Sequence, residues 1–211
     1  MRQCLPFSVI CPALSEHTAA VCLEAVQAAA SKNIIISVDL NYRSKLWQYG
    51  KEPSAVMRPL LEYCDLIMGN VWSAEKLAGI GLPKDFGNTS LGKAKLINEA
   101  INSSERIMQF FPRCKIVANT FRFDTDHGIN YYTMLHTGLE HYCSAEYNVN
   151  TIIDRSGSGD CFMAGLIYGS INKFNAQEII DFAAAAAVNK LQQKGDATKS
   201  SISEIKQNNF C

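Results

Sequence analysis

Ile34-Ile35-Ile36-Ser37-Val38-Asp39 is a near-continuous β-branched run that closes on the polar cluster Asp39 to Arg43. An apolar run without polar alternation is the pattern of a strand buried on both faces, and such strands lie in parallel sheets covered by helices. On its N-terminal side, Phe7 to Ile10 is a short apolar run ended by Pro12. From Ala19 the apolar residues Cys22, Leu23, Val26, Ala29 and Ala30 then fall at helical spacing behind Ser15 as a cap. On its C-terminal side, Pro53 to Tyr63 is helical, Leu66-Ile67-Met68 is a strand ending at Gly69-Asn70, and Ser73 to Ala78 is a helix. Lys93 to Phe111 carries one or two helices broken near Asn102-Ser103, and Lys115 to Ala118 is the next strand. Strands alternating with helices at this length predict an α/β doubly wound sandwich with a mostly parallel central sheet.

The pattern changes after Thr120. Tyr131 to Leu135 and His141 to Val149 alternate β-branched or aromatic residues with polar ones, and the His136-Thr137-Gly138 turn joins them as antiparallel strands. Ile152-Ile153-Asp154 reads as an apolar strand leading into Arg155-Ser156-Gly157-Ser158-Gly159-Asp160, with a helix from Cys161 to Ile171. Ala183 to Val188 is an alanine-rich helix whose small side chains require a closely packed neighbour. No linker, repeat or low-complexity tract divides the chain, so residues 1–211 read as one domain.

Lys+Arg 20 against Asp+Glu 20 leaves a formal charge of +0. No overall basic field exists to hold a nucleic acid or an anionic membrane. Hydrophobic residues at 47% and charged residues at 19% are globular proportions. The eight cysteines, at 4, 11, 22, 64, 114, 143, 161 and 211, include no C-x-x-C pair and read as reduced packing residues. Met1 to Glu16 is neither a secretory h-region nor a membrane span, which makes the cytoplasm the expected location. His136, His141 and Cys143 carry zinc-ligand chemistry, but a fourth ligand is missing and a zinc site is not expected.

Chemistry concentrates at Gly157-Ser158-Gly159-Asp160. A glycine-rich turn opening a helix aims backbone N–H groups and the positive end of the helix dipole at one spot, which suits an anion. Asp160 in the first turn is placed to take a proton from a hydroxyl that attacks a phosphoryl group. The same residues equally suit an ordinary glycine turn with an acidic first helical turn, which stabilises by about 0.3 to 1 kcal/mol.

Asp154-Arg155-Ser156-Gly157-Ser158-Gly159-Asp160-Cys161-Phe162-Met163-Ala164-Gly165 resembles the C-terminal signature of the PfkB, or ribokinase-like, carbohydrate kinases, D-T-x-G-A-G-D-x-F-x-A-G. Asp39-Leu40-Asn41-Tyr42-Arg43-Ser44-Lys45-Leu46-Trp47 is similar to the D-x-N-x-R-x-x-L-W stretch of the 2-keto-3-deoxygluconate kinases, and Ile10-Cys11-Pro12-Ala13-Leu14-Ser15 to their G-I-x-P-A-L-S segment. The resemblance covers essentially the whole chain. It implies a three-layer ribokinase-like sandwich, ATP with Mg2+, and transfer of the γ-phosphoryl group to a terminal hydroxyl of a small sugar acid, 2-keto-3-deoxygluconate becoming its 6-phosphate. The partners it implies are small molecules, with a homo-oligomer as an option.

By the same resemblance Asp160 is the catalytic base, and the amides of Gly157, Ser158 and Gly159 stabilise charge on the transferring group. Asn41, Arg43 and Asn189 fall at nucleotide positions. Thr120 and Arg122 are read as nucleotide contacts because they follow the Lys115 to Ala118 strand, at the carboxyl edge of the sheet where ligands of open α/β folds sit, although Phe121-Arg122-Phe123 departs from the family's Thr-x-Gly turn. Arg43, Asp160 and Asp196 fall at substrate positions, Arg43 through the planar fork that suits a carboxylate or phosphate. Asn70 and Glu75 stand further apart than in the family's N-x-x-E element, so no metal residue is assigned; Asn70 reads equally well as a helix cap. The family's first strands, glycine-rich sugar loop and small β lid have no counterpart in the chain, which is expected to correspond to the C-terminal portion of a kinase domain and to be inactive or aggregation-prone alone. Two readings stand beside the sugar-acid kinase: a non-catalytic remnant or interaction protein, and a kinase for another sugar such as fructose.

Overall fold

A computed structural model describes residues 3–84, 86, 92–138 and 140–207. The chain forms two compact units, Met1–Asn119 with His136–His141, and Thr120–Leu135 with Tyr142–Cys211.

The first unit begins with β1 (Cys4–Ser8), α1 (Ile10–Leu14), α2 (Glu16–Ser31) and β2 (Ile35–Asp39). It continues through α3 (Pro53–Leu61), β3 (Leu66–Gly69), α4 (Val71–Ala78) and α5 (Lys93–Phe110) into the first residues of β4 (Ile116–Thr125). β1, β2, β3 and the start of β4 pair in parallel, with Phe7 opposite Val38, Val38 opposite Ile67, and Ile67 opposite Val117. Ile36, Ser37 and Val38 are all buried, so the β-branched run is covered on both faces. Ile36, Val38, Leu40, Met57, Leu60, Ile67, Leu77 and Ile107 share one apolar core.

Local signals set the helix ends. Ser15 and Thr18 form a reciprocal capping box at α2. Asn70 Oδ1 accepts the Ser73 amide at 2.8 Å to cap α4. Asp65 Oδ2 accepts both the Ile36 amide at 2.9 Å and Arg113 Nη2 at 3.1 Å, tying the entry of β3 to β2.

Two expectations change here. The strand at Phe7 ends at Ser8, and Ile10 already begins α1, because Pro12 fits the first turn of a helix, where its missing N–H is not needed. The expected break at Asn102-Ser103 does not occur. α5 is continuous over 18 residues, and its serines are absorbed by the packing: Ser103 and Ser104 are buried, and Ser104 Oγ donates to the Ala100 carbonyl at 2.6 Å.

The second unit takes the rest of β4, then β5 (Gly128–His136, leaving the unit after Leu135), β6 (His141–Cys143), β7 (Tyr147–Val149), α6 (Ser158–Ile171), α7 (Ala176–Leu191) and α8 (Ile202–Gln207). β5 and β7 are antiparallel, with Ile129 opposite Val149 and Tyr131 opposite Tyr147. The single strand expected over His141 to Val149 is thus two, interrupted where buried Ser144 donates its amide to the Thr133 carbonyl at 3.0 Å.

The alanine-rich helix does find a close neighbour. A β-carbon on Gly165 of α6 would stand 2.6 Å from the Ala183 Cα of α7. Small residues on both sides therefore bring the two backbones together. Asn175 caps α7 in a box with Glu178. Cys211 lies outside the described residues, and the other seven cysteines are free thiols. Burial pushes the Cys114 thiol up to about 12, as befits a packing residue. No helix among the described residues is long and apolar enough to cross a membrane.

Candidate anion-binding and catalytic site

Ile152 to Asp154 is not a strand. It is an irregular segment whose Ile153 amide reaches the Leu191 carbonyl of α7 at 2.8 Å, with the Ile153 side chain exposed. Asp154 organises the glycine loop: one carboxylate oxygen accepts the Ser156 amide at 2.9 Å, and the other accepts the Gly195 amide at 3.0 Å. The first bond is an Asx turn that starts the loop. These amides, Ser156 first, hold the Asp154 carboxyl below the usual carboxylate range.

Gly157 then takes a left-handed conformation, φ 73°, as the N-cap of α6. A β-carbon there would fall on the Asp196 carbonyl oxygen, so both the backbone angle and the space require glycine. α6 starts at Ser158, three residues earlier than expected, since the helical backbone continues back to its glycine cap. The amides of Ser158, Gly159 and Asp160 are accordingly first-turn donors with no acceptor within the helix, at the positive end of its dipole. Asp160 is exposed beside them. Arg155 Nη2 donates to Asp124 Oδ1 at 2.6 Å and lowers that carboxyl's pKa; both side chains are largely solvated, so the pair adds little stability.

Asp196 sits at this turn through its backbone, and its residue is exposed. Asn189 lies in the last turn of α7, nearly buried, and donates Nδ2 to the Ala185 carbonyl at 3.2 Å. It lines a cavity of about 340 Å³ with Val149, Val188, Tyr147 and Gln192. Thr120 and Arg122 do not follow a strand that ends at Ala118. β4 runs on to Thr125, and both residues lie inside it, because Phe121 turns inward and stacks on Tyr132 with ring centroids 4.8 Å apart.

In the first unit, Asn41 and Arg43 follow the C-terminal end of β2, Asn41 half-buried and Arg43 exposed. Arg43 precedes a short 3-10 turn, Ser44–Leu46. Trp47 stacks on Tyr49, and Tyr49 Oη donates to the Pro12 carbonyl at 2.7 Å, which brings the Asp39–Trp47 and Ile10–Ser15 stretches together. Asn70 serves as a helix cap, and Glu75 accepts the Leu82 amide at 3.4 Å. Buried His136 and exposed His141 form no group of three metal-ligating side chains among the described residues. Two participants escaped the sequence reading: Lys190 and Gln193, which hold the segment after α7. A lysine at the end of an alanine-rich, apolar helix was the available signal.

Residues 127–203 match the family model described as pfkB family carbohydrate kinase. A structure of 2-dehydro-3-deoxygluconokinase from Thermotoga maritima is similar over 98% of this chain and 59% of that one, at 30% identity and a TM-score of 0.86. The fold is ribokinase-like. This chain of ribokinase-like fold also superposes on a PfkB family carbohydrate kinase from Listeria grayi, at 25% identity and a TM-score of 0.82 over 99% of this chain and 60% of that one. It shares the fold of a fructokinase with bound ATP from Xylella fastidiosa, at 18% identity and a TM-score of 0.68, covering 97% of this chain and 61% of that one. The ribokinase-like chain spans about 60% of the length of these structures. No curated protein matches it significantly.

Proposed function

We propose that this chain carries the nucleotide and phosphoryl-transfer site of an ATP-dependent sugar-acid kinase, with 2-keto-3-deoxygluconate as the substrate and its 6-phosphate as the product. The observation that carries the reading is the turn at Gly157: a left-handed glycine under the Asp196 carbonyl, three first-turn amides, and an exposed carboxylate on Asp160.

In this reading the amides of Ser158, Gly159 and Asp160 take the phosphate oxygens, where fixed donors act without reorganising. Asp160 accepts the proton of the attacking hydroxyl as its oxygen bonds to the γ-phosphorus; the bond from phosphorus to the bridging oxygen breaks, and ADP leaves. Asn189 and the cavity beside it, about 340 Å³ with Val149 and Val188 on its wall, suit a nucleobase in size and mixed polarity. Arg43 reads the substrate carboxylate, and Asn41, Thr120 and Arg122 supply nucleotide contacts. The side chain of Asp196 serves the sugar. Magnesium accompanies the nucleotide and screens its phosphates; no residue of the chain is assigned to it. The partners are thus small molecules.

Calorimetric titration of ADP into residues 1–211, followed by sugar-dependent ADP release with 2-keto-3-deoxygluconate and with fructose, tests the reading. Saturable ADP binding is expected, and whatever sugar-dependent release occurs should prefer the sugar acid. Preference for fructose would move the substrate to another sugar, and binding without turnover even when the chain is joined to a relative's first strands and lid would favour a non-catalytic role. No ADP binding would overturn the reading.

A further inference from the structure

Lys190 lies one residue before the C-terminal end of α7, and its side chain is fully buried, at 0% exposure. An ammonium taken out of water is costly unless its protons are given to acceptors. Lys190 Nζ donates to the Gln193 carbonyl at 3.0 Å and to the Asp154 carbonyl at 3.4 Å. The first acceptor belongs to the segment after α7 and the second to the turn before α6. One charge thus joins two stretches far apart in sequence.

Further bonds at this junction run between the same two stretches or within one of them. The Asp154 carboxylate takes amides from both, Ser156 and Gly195. Gln193 Oε1 accepts the Lys199 amide at 2.7 Å, and its Nε2 donates to Ser200 Oγ at 2.7 Å, folding residues 193–200 on themselves. The segment so ordered carries the Asp196 carbonyl that lies against Gly157. Lys190 also stands behind Asp154, where its charge adds to the amides in favouring the carboxylate.

We propose that Lys190 is a positioning residue whose buried ammonium clamps the Asp154 turn to the segment after α7, presetting the amides of Ser158, Gly159 and Asp160 for a phosphate before one arrives. The clamp rests on the reading of this turn as the phosphate site. Its competitor is simple packing by the lysine stem, and the two differ in whether charge is required.

The test uses the whole chain with Lys190→Met, which keeps the stem, and Lys190→Ala. ADP affinity is measured by calorimetry, alongside backbone hydrogen exchange at Ser156 and Gly195. The clamp requires Lys190→Met to weaken ADP binding at least tenfold and to speed exchange at both amides at least tenfold, with the amides of α2 unchanged. It also requires propylammonium, and not propanol, to restore ADP affinity to Lys190→Ala. Wild-type affinity and exchange in Lys190→Met, or equal rescue by propanol, would overturn it. Should neither variant fold, the unliganded wild type decides: protection at Ser156 and Gly195 matching that of mid-α6 amides supports the clamp, and unprotected exchange overturns it. A wild-type chain that binds no ADP would defeat the phosphate reading, while the exchange comparison would still judge the clamp.

Discussion

The carbonyl oxygen of Asp196 occupies the position that a β-carbon on Gly157 would need. Two residues 39 positions apart thereby define one surface, and the glycine loop cannot be altered without moving the segment after α7. The relationship turns a weak local pattern, glycine-x-glycine, into a constrained turn.

Gly157→Ala must move the Asp196 carbonyl and hold alanine at φ 73°, a conformation costing about 1 to 2 kcal/mol for a non-glycine residue. The melting temperature should fall by at least about 2 to 4 °C, and ADP affinity should drop at least about tenfold. Gly81→Ala, with open space around it and a permitted backbone angle, is the control and should change neither. Equal behaviour of the two variants in thermal melts and titration would contradict the turn's role.

Asp160→Asn keeps the first-turn amide and removes the proton acceptor. In a full-length form that includes the family's first strands and lid, sugar-dependent turnover should fall by about a hundredfold or more, with the dissociation constant for ADP nearly unchanged. Steady-state kinetics beside calorimetry separates the two, and turnover within tenfold of wild type would remove Asp160 from the base role.

Arg43→Ala should raise the KM for 2-keto-3-deoxygluconate far more than the KM for ATP. A charge-assisted bidentate contact is worth about 1.5 to 3 kcal/mol, roughly ten- to a hundredfold. An equal or greater effect on ATP would assign Arg43 to the nucleotide.

His136 is buried, and neither ring nitrogen has a hydrogen-bond partner among the described residues. Burial, with His141 nearby, depresses its pKa below 6.5 against the opposing pull of Glu105. The unfolded chain therefore binds a proton first as pH falls, so this contribution to stability is full above 6.5 and is lost below it. Thermal melts at pH 7.5 and 5.5 should show a drop in wild type that is smaller in His136→Leu. An identical drop in both would show that His136 does not titrate with unfolding.

Much of the fold was legible because its signals are local. The β-branched run Ile34 to Val38 declared a two-sided strand, Ser15 and Asn70 declared helix starts, and Gly157 to Asp160 declared a glycine turn opening a helix, each through residues within a few positions of one another. The errors share a cause as well. Helix α5 ran through Ser103 and Ser104, and β4 ran past Ala118, because buried contacts with distant residues overrode local preference.

By itself the sequence determined an alternating α/β chain with a glycine-rich turn before a helix and a carboxylate in its first turn, since periodicity and turn chemistry act over a single element. Only the tertiary structure decided why Gly157 must be glycine, where Lys190 places its charge, and that Asp154 binds amides from both sides of α6 and α7. Those are contacts between residues about 36 to 41 positions apart, and no local pattern encodes which distant carbonyl or amide will meet a given side chain. The chain supplied the donors and acceptors; packing α6 against α7, glycine against alanine, set the distances at which they pair.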